Sequence, residues 1–138
     1  MNCLFCKIIN KEISAEIIYE DNDSIAVLDI HPRAPGHTMV LPKIHSDTIL
    51  GVPKEKMGGI FGAVSQTVAL LQESLKPDGF TIVINHGRVS GQTVDHLHIH
   101  IIPRWQNDNG GSIHSVVDNP PKETLEEIQK SLYENAKK

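Results

Sequence analysis

The run His96-Leu97-His98-Ile99-His100-Ile101-Ile102 alternates polar and apolar residues with a period of two. On a β-strand that period turns Leu97, Ile99 and Ile101 to one side and His96, His98 and His100 to the other. The apolar side needs a core to cover it, so the chain must build a sheet with at least one buried face. The three histidines need a separate explanation. A solvated polar face is one reading, although Lys, Thr or Glu would serve equally well there. A metal site is a second: alternate strand residues sit roughly 6.6 Å apart, and zinc takes imidazole nitrogen at roughly 2.0–2.1 Å, so two neighbours share an ion more readily than three. Phosphoryl or nucleotidyl transfer is the third and fits the spacing best. A neutral imidazole is a nucleophile near pH 7, its reference pKa being about 6.5. Flanking histidines can donate hydrogen bonds to phosphate oxygens as charge develops there.

The rest of the chain supplies the sheet. Residues 17–20 and 24–29 read as strands joined by the polar turn Asp21-Asn22-Asp23. After a proline-containing loop, 37–41 reads as a third strand ended by Pro42; 80–85 and 96–102 are two more, and 6–10 is a short helical turn. A long helix is predicted over 54–76 from the stripe Met57, Ile60, Phe61, Val64, Val68, Leu71 and Leu75, stopped by Pro77-Asp78-Gly79. A final helix is predicted over 122–135 on Leu125, Ile128 and Leu132. Strands in a run, with one long helix inserted and another at the end, indicate an α+β fold with a mostly antiparallel sheet. The 138 residues suffice for one domain, with 1–105 as its core and 106–138 as a C-terminal loop and helix.

Net charge decides which partners to expect. At −4, with 22% charged residues, the chain offers no basic surface for nucleic acid. A phosphate ligand would have to be held by backbone N–H groups and histidines. The loop Asn85-His86-Gly87-Arg88-Val89-Ser90-Gly91-Gln92-Thr93-Val94 offers such groups just before the histidine run. No stretch approaches the roughly 18 apolar residues that span a bilayer, and the first residues lack an apolar signal core. The expectation is a cytoplasmic protein with no membrane partner, in which Cys3 and Cys6 stay reduced. These two cysteines form a Cys-x-x-Cys pair. A thioredoxin-like redox pair needs a βαβ context that this position does not supply. Two small buried residues are the plain alternative. Zinc is the favoured reading, with histidines completing a tetrahedral site.

The chain resembles the histidine triad family, whose signature His-φ-His-φ-His-φ-φ (φ apolar) is matched from His96 through Ile102. The resemblance takes in Phe5-Cys6-Lys7-Ile8-Ile9, Asp29-Ile30, Gly36-His37-Thr38-Met39-Val40-Leu41-Pro42-Lys43, Asn85 and Gly91-Gln92-Thr93-Val94, and is nearest the Hint-like branch of zinc-containing bacterial type. It implies a five-stranded antiparallel sheet extended across a homodimer. It also implies a purine-nucleotide hydrolase or transferase that cleaves at the α-phosphate through a nucleotidyl-histidine. Carried onto this sequence, His98 is the nucleophile, the main-chain carbonyl of His96 sets its tautomer, and His100 and His37 support the phosphate. Asn85, Gly91, Gln92 and Thr93 surround the phosphate or leaving group, Asp29 takes the ribose hydroxyls, and Phe5, Ile8 and Ile30 surround the base. Zinc would be structural, on Cys3, Cys6, His45 and His96.

Without the resemblance, Phe5, Ile8 and Ile30 read as core; a turn residue is the open alternative for Asp29 and a hydrogen-bonded structural histidine that for His37. Of the eight histidines, His31, His86 and His114 have no role and are expected at the surface. Two features leave the substrate open between phosphoramidates, acyl-adenylates and dinucleoside polyphosphates. Pro103-Arg104-Trp105 and the polar loop after it are unlike the tail of animal Hint proteins, and His86 follows Asn85 where an acidic residue is expected. A nucleotide-binding module without turnover, and a metalloenzyme using all three triad histidines, are the alternatives.

Overall fold

The computed structural model describes residues 2–137, in two compact units that divide after Asp108. The first unit runs α1 (Leu4–Ile9), β1 (Ile17–Glu20), β2 (Ser24–Leu28), β3 (Thr38–Pro42), α2 (Met57–Leu75), β4 (Gly79–Val83) and β5 (Ile99–Arg104). The five strands form one antiparallel sheet in the order β1-β2-β3-β5-β4, the α+β architecture expected. Among the described residues no helix is long and apolar enough to cross a membrane.

Both faces of the sheet are covered, which is why β2 reads as a continuous apolar run. Ala26, Val40, Ile99 and Ile101 pack with Ile60, Ala63, Val64 and Leu71 of α2, while Ile25, Val27 and Leu41 pack with Cys3, Phe5 and Ile8 around α1. The period-two rule therefore sorts β2 and β3 between two cores. Leu97, Ile99 and Ile101 lie in the α2 core, so the triad rings emerge on the α1 face.

Several boundaries differ from expectation. The histidine strand begins at Ile99, not His96. Its partner β3 ends in Pro42, which has no N–H, and the Pro42 carbonyl is taken by the His96 ring at 2.9 Å. The backbone N–H groups of His96 and Leu97 donate instead to Val94 and Ser46. The long helix starts at Met57, preceded by a 3-10 turn over Lys54–Lys56. Its buried face is Ile60, Ala63, Val64, Thr67 and Leu71, while Phe61 and Leu75 flank it and are partly exposed. β4 ends at Val83, which leaves Asn85 in the following loop.

One glycine positions the site directly. Gly36 sits at φ +82, and a Cβ there would lie 2.5 Å from Leu75 Cδ1. Only glycine closes the turn that delivers His37.

In the second unit, α3 (Leu125–Ala136) is capped by Thr124, whose hydroxyl accepts from the Glu127 N–H at 3.1 Å. Leu125 and Leu132 of the expected stripe are exposed.

Candidate functional site

A cavity of about 570 Å³ opens on the α1 face, a volume ordinary for a small-molecule site. Phe5 and Ile8 form its apolar wall, and the loop from Asp29 to His37 forms one side. Asn85, Gly91, Thr93 and Val94 form another side, with His98 and His100 at the base. Ile30 lies at the rim, 84% exposed.

His98 is buried, and its Nδ1 lies 2.8 Å from the main-chain carbonyl of His96. A carbonyl only accepts, so Nδ1 carries the proton and Nε2 keeps a lone pair. Phe5 packs edge-on against the ring, with centroids 5.0 Å apart, and holds its plane. The result is a buried imidazole with one nitrogen committed to the backbone and the other free for bonding.

His37 and His100 form a second, wired pair. The Arg33 backbone N–H donates to His37 Nδ1 at 3.0 Å, so a neutral His37 carries its proton on Nε2. That nitrogen lies 2.9 Å from His100 Nδ1, which must accept, leaving the His100 proton on Nε2. Burial pushes the His37 pKa down, and Asp29, whose Oδ2 lies 3.4 Å away, only partly offsets this. Burial, with the neighbouring His98 and His37 rings, carries His100 down to about 4. At neutral pH both rings are therefore uncharged, and His100 is a fixed donor beside the His98 lone pair. Asp29 is only half committed: Oδ1 accepts from the His31 N–H at 2.8 Å, and Oδ2 faces the two rings.

His96 shares the strand face but not the cavity. It is fully buried, and its Nε2–H donates to the Pro42 carbonyl. Its Nδ1 lies 3.5 Å from Cys3 Sγ, 3.6 Å from Cys6 Sγ and 3.1 Å from His45 Nδ1. His45 Nδ1 is in turn 3.3 Å from Cys6 Sγ, while its Nε2–H donates to Asp47 Oδ1 at 3.1 Å. Each ring has committed its proton on the far side, so two Nδ1 lone pairs meet at 3.1 Å beside two sulfurs. Without a cation that arrangement is repulsive. Tetrahedral zinc bound at standard lengths would set N–N and N–S edges of about 3.3–3.6 Å. The donor set and its spacing fit zinc, and Asp47 and Pro42 act as the outer partners that orient ligating histidines. Burial and the neighbouring Cys3 thiol raise the Cys6 pKa, the reverse of what a bound cation would do.

Two expectations about the site change. Gln92 does not line the cavity. It is buried, its amide donates to the Asp47 and Val94 carbonyls, and its Oε1 accepts from the Gly87 N–H. Those three bonds fold the loop 87–94 and leave no amide N–H for phosphate. His31, expected at the surface without a role, is exposed but lines the cavity, as does Arg33. His86 and His114 are exposed. Two contributors were not anticipated from sequence: Arg33, through its backbone N–H, and Asp47. A carboxylate two residues after a histidine is a usable signal for the second; a backbone donor carries none.

Comparison with known proteins completes the description. Residues 10–107 match the HIT domain family. An uncharacterised HIT-like protein of Methanocaldococcus jannaschii is 48% identical over 106 residues, covering 77% of this chain and 81% of that one. An adenylylsulfatase of Arabidopsis thaliana is 34% identical over 107 residues, 78% of this chain and 54% of that protein. Among solved structures, a HIT family member from Bacillus subtilis superposes with TM-score 0.87 at 33% identity, covering 100% of this chain and 97% of that one. A zinc-bound histidine triad protein from Mycobacterium smegmatis superposes with TM-score 0.71 at 36% identity, over 89% of this chain and 85% of that one.

Proposed function

This chain belongs to the histidine triad family, and from that premise we propose that it is a nucleotide hydrolase that uses His98 to cleave at the α-phosphate of purine nucleoside phosphoramidates or related nucleotides. The observation that carries the proposal is the 2.8 Å bond from His98 Nδ1–H to the His96 carbonyl. It leaves Nε2 as the nucleophile and stabilises the ring's positive charge once Nε2 has bonded to phosphorus. In the first step the P–Nε2 bond forms and the bond from phosphorus to the leaving group breaks. The departing group takes up a proton from solvent; in the second step water displaces His98 and returns a proton to solvent, so that one water is consumed overall. His100 Nε2–H is a preorganised donor to a phosphate oxygen. Asn85, Gly91 and Thr93 border the same space, Asp29 is available to the ribose, and Phe5, Ile8 and Ile30 to the base. The adenylylsulfatase relative supports hydrolysis over a binding module without turnover.

Zinc on Cys3, Cys6, His45 and His96 belongs to the same proposal. It would neutralise the two thiolates and fix the segment whose carbonyl holds His98; no step of the reaction passes through it. The activity is assigned to residues 1–105, in a reducing compartment such as the cytoplasm, where both thiols persist. The homodimer is proposed with them, its sheet continuing across edge strand β4, where Ile82 is 49% exposed.

Incubation with adenosine 5′-phosphoramidate tests the mechanism. Wild type is expected to release AMP, and His98→Ala to lose at least about a thousandfold in rate while still binding AMP. Equal release by both proteins would refute a nucleophilic His98.

A further inference from the structure

The cavity presents an unequal set of charges. Of the described residues that line it, Asp29 is the one carboxylate and Arg33 the one lysine or arginine. His100 supplies a donor that His37 orients, but neither ring carries charge, since burial holds both neutral at pH 7. The chain as a whole carries −4. A nucleotide entering beside Asp29 thus meets the permanent positive charge of Arg33.

The three arginines are not used alike. Arg88 pairs with Asp95 at 3.1 Å and Arg104 with Asp108 at 2.6 Å. Among the described residues Arg33 has no such ion pair, although its backbone is anchored at the site by the 3.0 Å bond to His37 Nδ1. Its guanidinium lies close enough to His37 to contribute to that ring's lowered pKa. An arginine tied down by its own main chain, lining a cavity and left without a carboxylate, is placed to meet an anion with its planar fork.

We propose, resting on the nucleotide reading above, that Arg33 is a specificity-determining residue that binds a second anionic group on the nucleotide, beyond the α-phosphate. The group is a phosphate or sulfate, carried either on the α-phosphate as the leaving group or on the ribose. In both cases the guanidinium donates two N–H bonds to its oxygens. The preferred substrates are then nucleotides bearing this extra negative charge rather than simple amine phosphoramidates.

Equilibrium binding tests this without turnover. AMP, ADP and adenosine 3′,5′-bisphosphate would be titrated calorimetrically into wild type, Arg33→Gln and Arg33→Lys at low and at 0.5 M salt. Both variants keep the backbone N–H that holds His37. Wild type is expected to bind ADP or the bisphosphate about five- to tenfold more tightly than AMP, a modest factor because the side chain is exposed. That ratio should fall to near one in Arg33→Gln, recover in part in Arg33→Lys, and shrink at high salt. A gain for ADP places the second anion on the leaving-group side; a gain for the bisphosphate places it on the ribose. Equal binding of all three by wild type, or equal weakening of all three by Arg33→Gln, overturns the assignment. In those outcomes AMP binding persists, so the nucleotide reading survives. Absence of AMP binding by wild type overturns both.

Discussion

His100→Asn isolates the cost of keeping one histidine uncharged in the wall of the cavity. The wild-type ring is only 15% exposed, and burial together with the His98 and His37 rings lowers its pKa to about 4. In the unfolded chain it returns to about 6.5. Between those values the unfolded state binds a proton that the folded state refuses, so stability rises with pH across that window. His100 therefore costs nothing above about pH 6.5, and its penalty grows as the pH falls toward 4. At about 1.4 kcal/mol per pH unit the full span amounts to about 3 kcal/mol, large against the stability of a small protein. Asparagine removes the titration while keeping an oxygen to accept the His37 Nε2–H. Urea unfolding of zinc-loaded wild type and variant from pH 4 to 7.5 measures the difference. Because His37 is bonded to residue 100 at 2.9 Å, the same comparison is repeated in a His37→Asn background, where that ring contributes nothing. The wild type should lose about 1.4 kcal/mol per unit more than the variant through the middle of the window, with the curves parallel above pH 7. Parallel curves throughout, or a steeper loss in the variant, would show that His100 is not held neutral by its surroundings.

Two other perturbations address the metal site and the loop. Protein purified without chelator should carry about one zinc per chain by elemental analysis. Cys6→Ser should lower that occupancy and the melting temperature together, and a metal-free wild type with unchanged melting would remove zinc from the proposal. Gln92→Ala takes away the partner of the Gly87 N–H and of the Asp47 carbonyl, and leaves the Val94 carbonyl with only the His96 N–H. A loss of about 2–4 kcal/mol in stability is expected, and AMP release should fall through misplacement of the loop. A drop in release at unchanged stability would instead return Gln92 to direct contact with substrate.

How much of this was legible beforehand follows from the range of each interaction. The alternation from His96 to Ile102 determined which residues face the α2 core, because strand period is a local property of the backbone. The strand-and-helix order determined the α+β class, since each apolar stripe must find a covering layer. The Cys-x-x-Cys pair and the triad together marked the residues that matter. Tertiary structure alone decided how they divide. His96 and His98 share a face, yet one ring turns to Cys3, Cys6 and His45 and the other to the cavity, through partners 51 to 93 positions away in the chain for His96. The same limit applies to Gln92, whose type suited a phosphate contact until the Asp47 carbonyl, 45 residues away, took up its amide. Arg33 shows it from the other side, since neither its place at the cavity nor the absence of an ion pair can be read from its neighbours in sequence. Whether a polar group is free for a ligand depends on what else reaches it, and that is settled only when distant segments pack.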